Sequence, residues 1–185
     1  TLVAAEGADT TYDLGEEGVR VSGPPRSLDE ALDALAPDHD YGLVTGHQEA
    51  RLPHVVLGDA AYDGEVAVRL DAEEPSVEDA VAAVEAVEPH ETLESLVARA
   101  KDSPDANRSG AIATFTGRVR ERDDPDDPST THLEFETYEG VAEERMAEIE
   151  AELEARGGVF EVVMHHRTGV VEAGEDIVFV VVLAG

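Results

Sequence analysis

The segment Thr114-Phe115-Thr116-Gly117-Arg118-Val119-Arg120-Glu121-Arg122 sets three arginines at alternate positions in a chain dominated by carboxylates. A guanidinium offers a rigid fork of donors that matches carboxylate or phosphate, so a local excess of arginine suits an anion. The simpler reading is that these arginines pair with neighbouring Asp and Glu, and the residues by themselves favour it. Gly117 leaves room for a ligand or another backbone to come close. A second cluster is Met164-His165-His166-Arg167-Thr168-Gly169. Adjacent histidines on a strand point to opposite faces, so they cannot share one metal from that strand. Core or surface histidine is therefore the first reading, and no metal site is expected. Arg167, at the strand end, is a candidate to join Arg118 and Arg120 in one anion pocket if their strands pair. Asp123 to Asp127 lack the spacing and terminal Glu of a calcium loop. No phosphate-loop, dinucleotide-binding or nucleophile-elbow motif occurs, and Ser27, Ser95 and Ser109 lack a nucleophile's local context.

Composition narrows the classes further. The 185 residues carry 43 Asp and Glu against 13 Lys and Arg, a formal charge of -30. Such a field repels phosphate, which argues against nucleic acid or an anionic membrane as partner. Hydrophobic residues make up 42% of the chain, enough for a core. With no cysteine, disulfide frameworks, thiolate nucleophiles and Cys-built zinc sites are excluded. The absence of a long apolar run or a basic-then-apolar leader points to a soluble cytoplasmic protein. The positive charge is 12 Arg and one Lys, Lys101, and aromatic residues are 4% of the chain. Acid-rich, lysine-poor, aromatic-poor composition resembles that of proteins from salt-loving archaea.

The elements that must position these residues fall into two halves, and the fold class is α/β in the wider α+β sense. In the first half, Ser27 caps a helix carrying Leu28, Ala31, Leu32 and Leu35, ended by Pro37. Tyr41 to Thr45, His54 to Leu57 and Glu65 to Leu70 read as strands, with parallel pairing expected. A helix from Ser76 or Val77 through Val87 follows. Pro89-His90 marks the boundary between a domain spanning 1–88 and one spanning 91–185. In the second, Thr92 caps a helix with Leu93, Leu96 and Val97, and a strand runs from Gly110 to Phe115. Glu121 to Thr130 is an exposed loop, and His132 to Tyr138 alternates as a half-buried strand. An amphipathic helix spans Val141 to Ala155. Strands at Val159 to Arg167 and Ile177 to Leu183 are separated by a turn at Glu172 to Glu175.

The run from Gly110 to Arg120 is similar to the signature of the catalytic subunit of molybdopterin synthase, the MoaE family. The likeness continues in order through Leu133-Glu134-Phe135-Glu136-Thr137-Tyr138-Glu139-Gly140, Val163 to Gly169 and Gly174 to Val180, covering about 91–185. The resemblance implies an α/β hammerhead fold and a homodimer. It implies a sulfurtransferase that takes sulfur from the Gly-Gly thiocarboxylate terminus of a ubiquitin-like carrier. The acceptor is cyclic pyranopterin monophosphate, and two transfers make the molybdopterin dithiolene, with no cofactor needed. Arg118, Val119 and Arg120 fall on the family's substrate-binding motif, with Arg120 orienting either the phosphate or the thiocarboxylate. Phe115 lines the channel for the carrier's tail, and Arg167 is a candidate anion site. The family's His-Arg pair and catalytic lysines would follow Gly185, and Lys101 sits in the wrong helix to replace them. A docking partner or conjugation target of such carriers, without catalysis, is the alternative.

Residues 1–88 resemble, more distantly, the later part of the MobB family of P-loop proteins. The likeness rests on Gly7-Ala8-Asp9-Thr10-Thr11-Tyr12, the helix from Ser27, Asp40 to Gly46, and Leu52-Pro53-His54-Val55-Val56. The implied unit is a partial P-loop-like α/β domain without its phosphate loop. His47 and Gln48 stand where that family tends to have an acidic or aromatic residue, which favours a scaffold over a nucleotide site.

Overall fold

The protein is described from a computed structural model, covering residues 10–15, 18–50, 52–64, 66–135 and 140–185. Thr1 to Asp9, Glu65 and the Glu136 to Glu139 part of the expected strand lie outside the described residues. Helices and strands are interspersed along the chain, the mixed α+β class expected.

The first half opens with strands β1 (Thr11–Gly15) and β2 (Gly18–Ser22), which form an antiparallel hairpin that no periodic pattern announces. Helix α1 (Leu28–Leu35) begins where Ser27 and Glu30 build a reciprocal capping box. Strands β3 (His54–Leu57) and β4 (Val66–Leu70) pair in parallel, as expected of a helix followed by short apolar strands, although no helix lies between the two. Helix α2 (Val77–Glu85) follows, capped by Ser76, whose side chain accepts from Asp79 N. One expectation fails here. Tyr41 to Thr45 is not a strand: Leu43 is 91% exposed, and Tyr41 donates to Glu85 at 2.9 Å. A short apolar run becomes a strand only when a neighbouring strand accepts its backbone hydrogen bonds, and none does so among the described residues.

The second half holds the core. Helix α3 (Leu93–Lys101) starts with Thr92 and Ser95 satisfying each other's backbone N–H, at 3.0 and 2.9 Å. It lays Leu96 and Ala100, both fully buried, on Val163, Phe179 and Val181 of the sheet. That sheet has the order β5-β9-β7, from β5 (Ala111–Arg118), β9 (Asp176–Ala184) and β7 (Val159–His166), all antiparallel. β9 is central, and its run of valines and Phe179 is the apolar stretch legible as a buried strand. Strand β6 (His132–Phe135) pairs antiparallel with β8 (Gly169–Glu172), a short strand that the turn reading missed.

Helix α4 (Val141–Glu154) departs from a simple amphipathic helix. Met146, Ile149 and Leu153 are only half-buried, and Val141 is exposed. Its carboxylates carry the contact instead: Glu150 accepts from Met164 N at 2.8 Å and Glu154 from Val162 N at 2.9 Å. These two bonds satisfy the outer edge of β7, which would otherwise present unpaired donors.

Candidate functional site

Arg118 ends β5 and faces Asp176, the first residue of β9, across a register shift at Gly117 and Arg118. Its guanidinium donates through Nε and Nη2 to the carbonyl of Gly174, and Nε lies 3.3 Å from the Asp176 carboxylate. Gly174, at φ 92°, makes the tight turn that aims that carbonyl. The turn is anchored a second time, since Val119 N donates to Glu175 O at 3.0 Å and Gly174 N to Val119 O at 2.9 Å. The loop before β9 thus grips the end of β5 through the Arg118 side chain and the Val119 backbone.

Val119 is 3% exposed, so its side chain belongs to the core and only its backbone serves the turn. Arg120 points to water and pairs with Asp123 at 3.0 Å. Arg122 donates to Ser129 at 2.7 Å and to Pro125 O at 3.2 Å, holding the acidic loop closed. Pairing with neighbouring groups therefore describes all three arginines, as the simpler reading expects. It does not exhaust them, because a guanidinium carries five donors.

Arg167 is reached from the other side of β9. Its backbone N donates to Ile177 O at 2.8 Å, and its guanidinium carbon stands 5.8 Å over the ring of Phe179. Arg118 and Arg167 line one open cleft of about 1020 Å³, together with His90, Asp33, Glu175 and Asp176. The strands that carry them do not pair with each other, since both flank β9, yet two of the three proposed arginines line the same cleft. Arg120 does not line that cleft.

Phe115 is 61% exposed in the middle of β5. Gly117 is less open than expected. A Cβ there would come within 2.6 Å of Val178 Cγ1, so the space the glycine leaves is filled by a side chain of β9. The two histidines do part: His165 stacks on Phe179 with centroids 6.4 Å apart, and His166 meets Phe135 edge-on at 5.1 Å. Burial pushes the His165 pKa below the ordinary histidine value, against the opposing pull of Glu88 and Glu91. Among the described residues no three His, Asp or Glu side chains gather as metal ligands, and no helix is long and apolar enough to cross a membrane.

Sequence reasoning overlooks Gly174, Glu175 and Asp176 as anchors of Arg118. The signal is present, since Gly174-Glu175-Asp176 is a turn leading straight into the central strand. His90, legible in the sequence only as a boundary marker, contacts Asp33 of α1 at 2.8 Å.

The profile described as MoaE protein matches residues 84–185. The chain is 50% identical over 183 residues to a protein of Haloferax volcanii named probable molybdopterin synthase, covering 98% of this chain and 70% of that one. It is 40% identical over 74 residues to the molybdopterin synthase catalytic subunit of Salmonella typhimurium, covering 40% of this chain and 48% of that one. A solved molybdopterin synthase from Staphylococcus aureus overlaps 53% of this chain and 66% of its own, at 27% identity and a TM-score of 0.43. The chain spans about half the length of the bacterial relative. The acidic, lysine-poor composition agrees with a relative from a halophilic archaeon. By the matched profile and the Haloferax relative, the chain belongs to the MoaE family.

Proposed function

We propose that this chain serves as the catalytic subunit of a molybdopterin synthase. In this reading it moves sulfur from the C-terminal thiocarboxylate of a ubiquitin-like carrier to cyclic pyranopterin monophosphate. The observation that carries the reading is the convergence of Arg118 and Arg167 on one cleft from opposite sides of β9, in a protein of charge -30. The cleft also carries the carboxylates of Asp29, Asp33, Glu49, Glu172, Glu175 and Asp176, of which Asp176 pairs with Arg118. Among them the Gly174 carbonyl holds the Arg118 guanidinium and the Phe179 ring lies under that of Arg167, which preorganises both as donors for a phosphate or a carboxyl-terminal anion.

The roles divide by position. Arg118 and Arg167 hold the anionic end of the precursor in the cleft. Arg120, two residues beyond Arg118 and paired with the exposed Asp123, swings to the incoming carrier tail or the phosphate. Phe115, open on β5, gives the tail an apolar wall, and Val119 shapes the site from within the core. A second copy of the chain is the expected partner in the assembled enzyme.

The test is reconstitution at molar KCl with thiocarboxylated carrier and cyclic pyranopterin monophosphate. Arg120→Ala folds as the wild type does, because an exposed ion pair adds little to stability, and it loses conversion. Retained turnover in that variant overturns the assignment.

A further inference from the structure

Glu88 lies between α2 and α3 on an exposed stretch of chain, in no helix or strand. Its two carboxylate oxygens nevertheless reach the end of β7 and the connection that follows it. Oε2 accepts from the Thr168 hydroxyl, and Oε1 lies 3.6 Å from His165 Nε2. Those two residues bracket Arg167.

The surroundings of Arg167 show why that matters. On the β9 side its chain is held by the backbone bond to Ile177 O and by the ring of Phe179 beneath the guanidinium. His165 is held by the same Phe179 ring, nearly parallel at 12°. Thr168, which begins the passage from β7 into β8, sits between a strand end and Gly169 at φ 70°. A glycine in the left-handed region just after a strand leaves this turn several ways to run. The carboxylate of Glu88 is the contact that ties its hydroxyl down. A hydrogen bond is directional, so this one restricts the turn and the arginine it carries.

We propose that Glu88 is a positioning residue for Arg167, fixing through Thr168 the turn that presents the guanidinium to the anion cleft. This rests on the proposed reading that the cleft binds the phosphate-bearing precursor. Glu88 is not among the residues that line the cleft; its carboxylate accepts from the Thr168 hydroxyl and lies near the half-buried His165 ring. Glu88 lies within the stretch that matches the family profile, four residues from its start, where no chemical motif draws attention to it.

The experiment is calorimetric titration of the full chain at molar KCl with cyclic pyranopterin monophosphate. The proteins compared are wild type, Glu88→Ala, Glu88→Gln, Thr168→Val, Arg167→Ala and the double variant Glu88→Ala/Arg167→Ala. Glu88→Ala and Thr168→Val are expected to weaken binding about tenfold each. Glu88→Gln keeps an oxygen for the hydroxyl and stays within about twofold of wild type. The double variant binds no worse than Arg167→Ala, because a turn that positions nothing has no further effect. A purely structural role would move the melting temperature without this pattern. Unchanged binding in Glu88→Ala, or additive losses in the double variant, overturns the proposal. If Glu88→Ala fails to fold, Thr168→Val and Glu88→Gln decide the matter: wild-type binding in the first, or a tenfold loss in the second, overturns it. Wild-type binding by Arg167→Ala overturns the cleft reading itself, a result distinct from failure of Glu88 alone.

Discussion

Arg118 and Arg167 flank the first residues of β9, one facing Asp176 from the end of β5 and the other bonded to Ile177 O from the end of β7. They are 49 positions apart in the chain, by their numbering, and meet only because β9 runs between the strands that carry them. Both line one cleft, and the turn at Gly174 to Asp176 holds the Arg118 guanidinium through a carbonyl and a carboxylate.

Removing either arginine should separate binding from folding. Arg118→Ala loses an exposed ion pair and the bonds to Gly174 O; the expected result is a raised KM for the precursor, about tenfold or more, with a melting temperature within a few degrees of wild type. Steady-state kinetics on both single variants check this. A normal KM in both would remove the cleft from the mechanism.

Leu96→Ala should be among the most damaging substitutions in the second half. Leu96 is fully buried on Val163, Phe179 and Val181, so its removal leaves a cavity where α3 meets the sheet. The expected loss is about 2–5 kcal/mol. Denaturant unfolding at molar salt measures it, and a loss below about 1 kcal/mol would mean that α3 does not pack there as described.

His165 makes stability depend on pH. Its folded-state pKa lies below the ordinary value of 6.5, first because burial disfavours the charged ring. The unfolded chain therefore binds the proton more readily. The contribution of the neutral ring is present above about pH 6.5 and is lost as pH falls through the lower folded value. His165→Phe keeps a ring against Phe179 and has no proton to gain, so its advantage over wild type should grow between pH 7 and pH 5. Paired urea midpoints across that range test this, and parallel curves would contradict it.

Salt should matter more than any single contact. With a formal charge of -30 the folded chain repels itself, and lowering KCl from 1 M to 0.1 M extends the Debye length from about 3 Å to about 10 Å. The thermal midpoint is expected to fall throughout that titration. A midpoint indifferent to KCl would show that surface carboxylates are compensated locally.

Much of this protein was decided by residue order alone. Ser27 and Thr92 begin helices because their hydroxyls meet the first free backbone donors, a local matter of three residues. The apolar β-branched run of β9 reads as a buried strand, and the parallel pair in the first half was legible from a helix followed by short apolar strands. The arginine motif and the blocks after it carried the family likeness without any geometry.

Tertiary structure decided the rest, because it depends on which distant groups meet. Tyr41 to Thr45 has the composition of a strand and lacks a neighbour to bond it among the described residues, so it stays irregular. Gly117 looks like space for a ligand until Val178 fills it from β9. Alternation on β5 sets Arg118 and Arg120 as equals. Only the turn at Gly174 separates them, drawing Arg118 beside the cleft that Arg167 also lines and leaving Arg120 in solvent with Asp123. Local sequence sets backbone preference within a few residues. The partner of a charged side chain is chosen by whichever carbonyl or carboxylate the sheet brings within 3 to 4 Å, and for Arg118 those are 56 and 58 positions further along the chain.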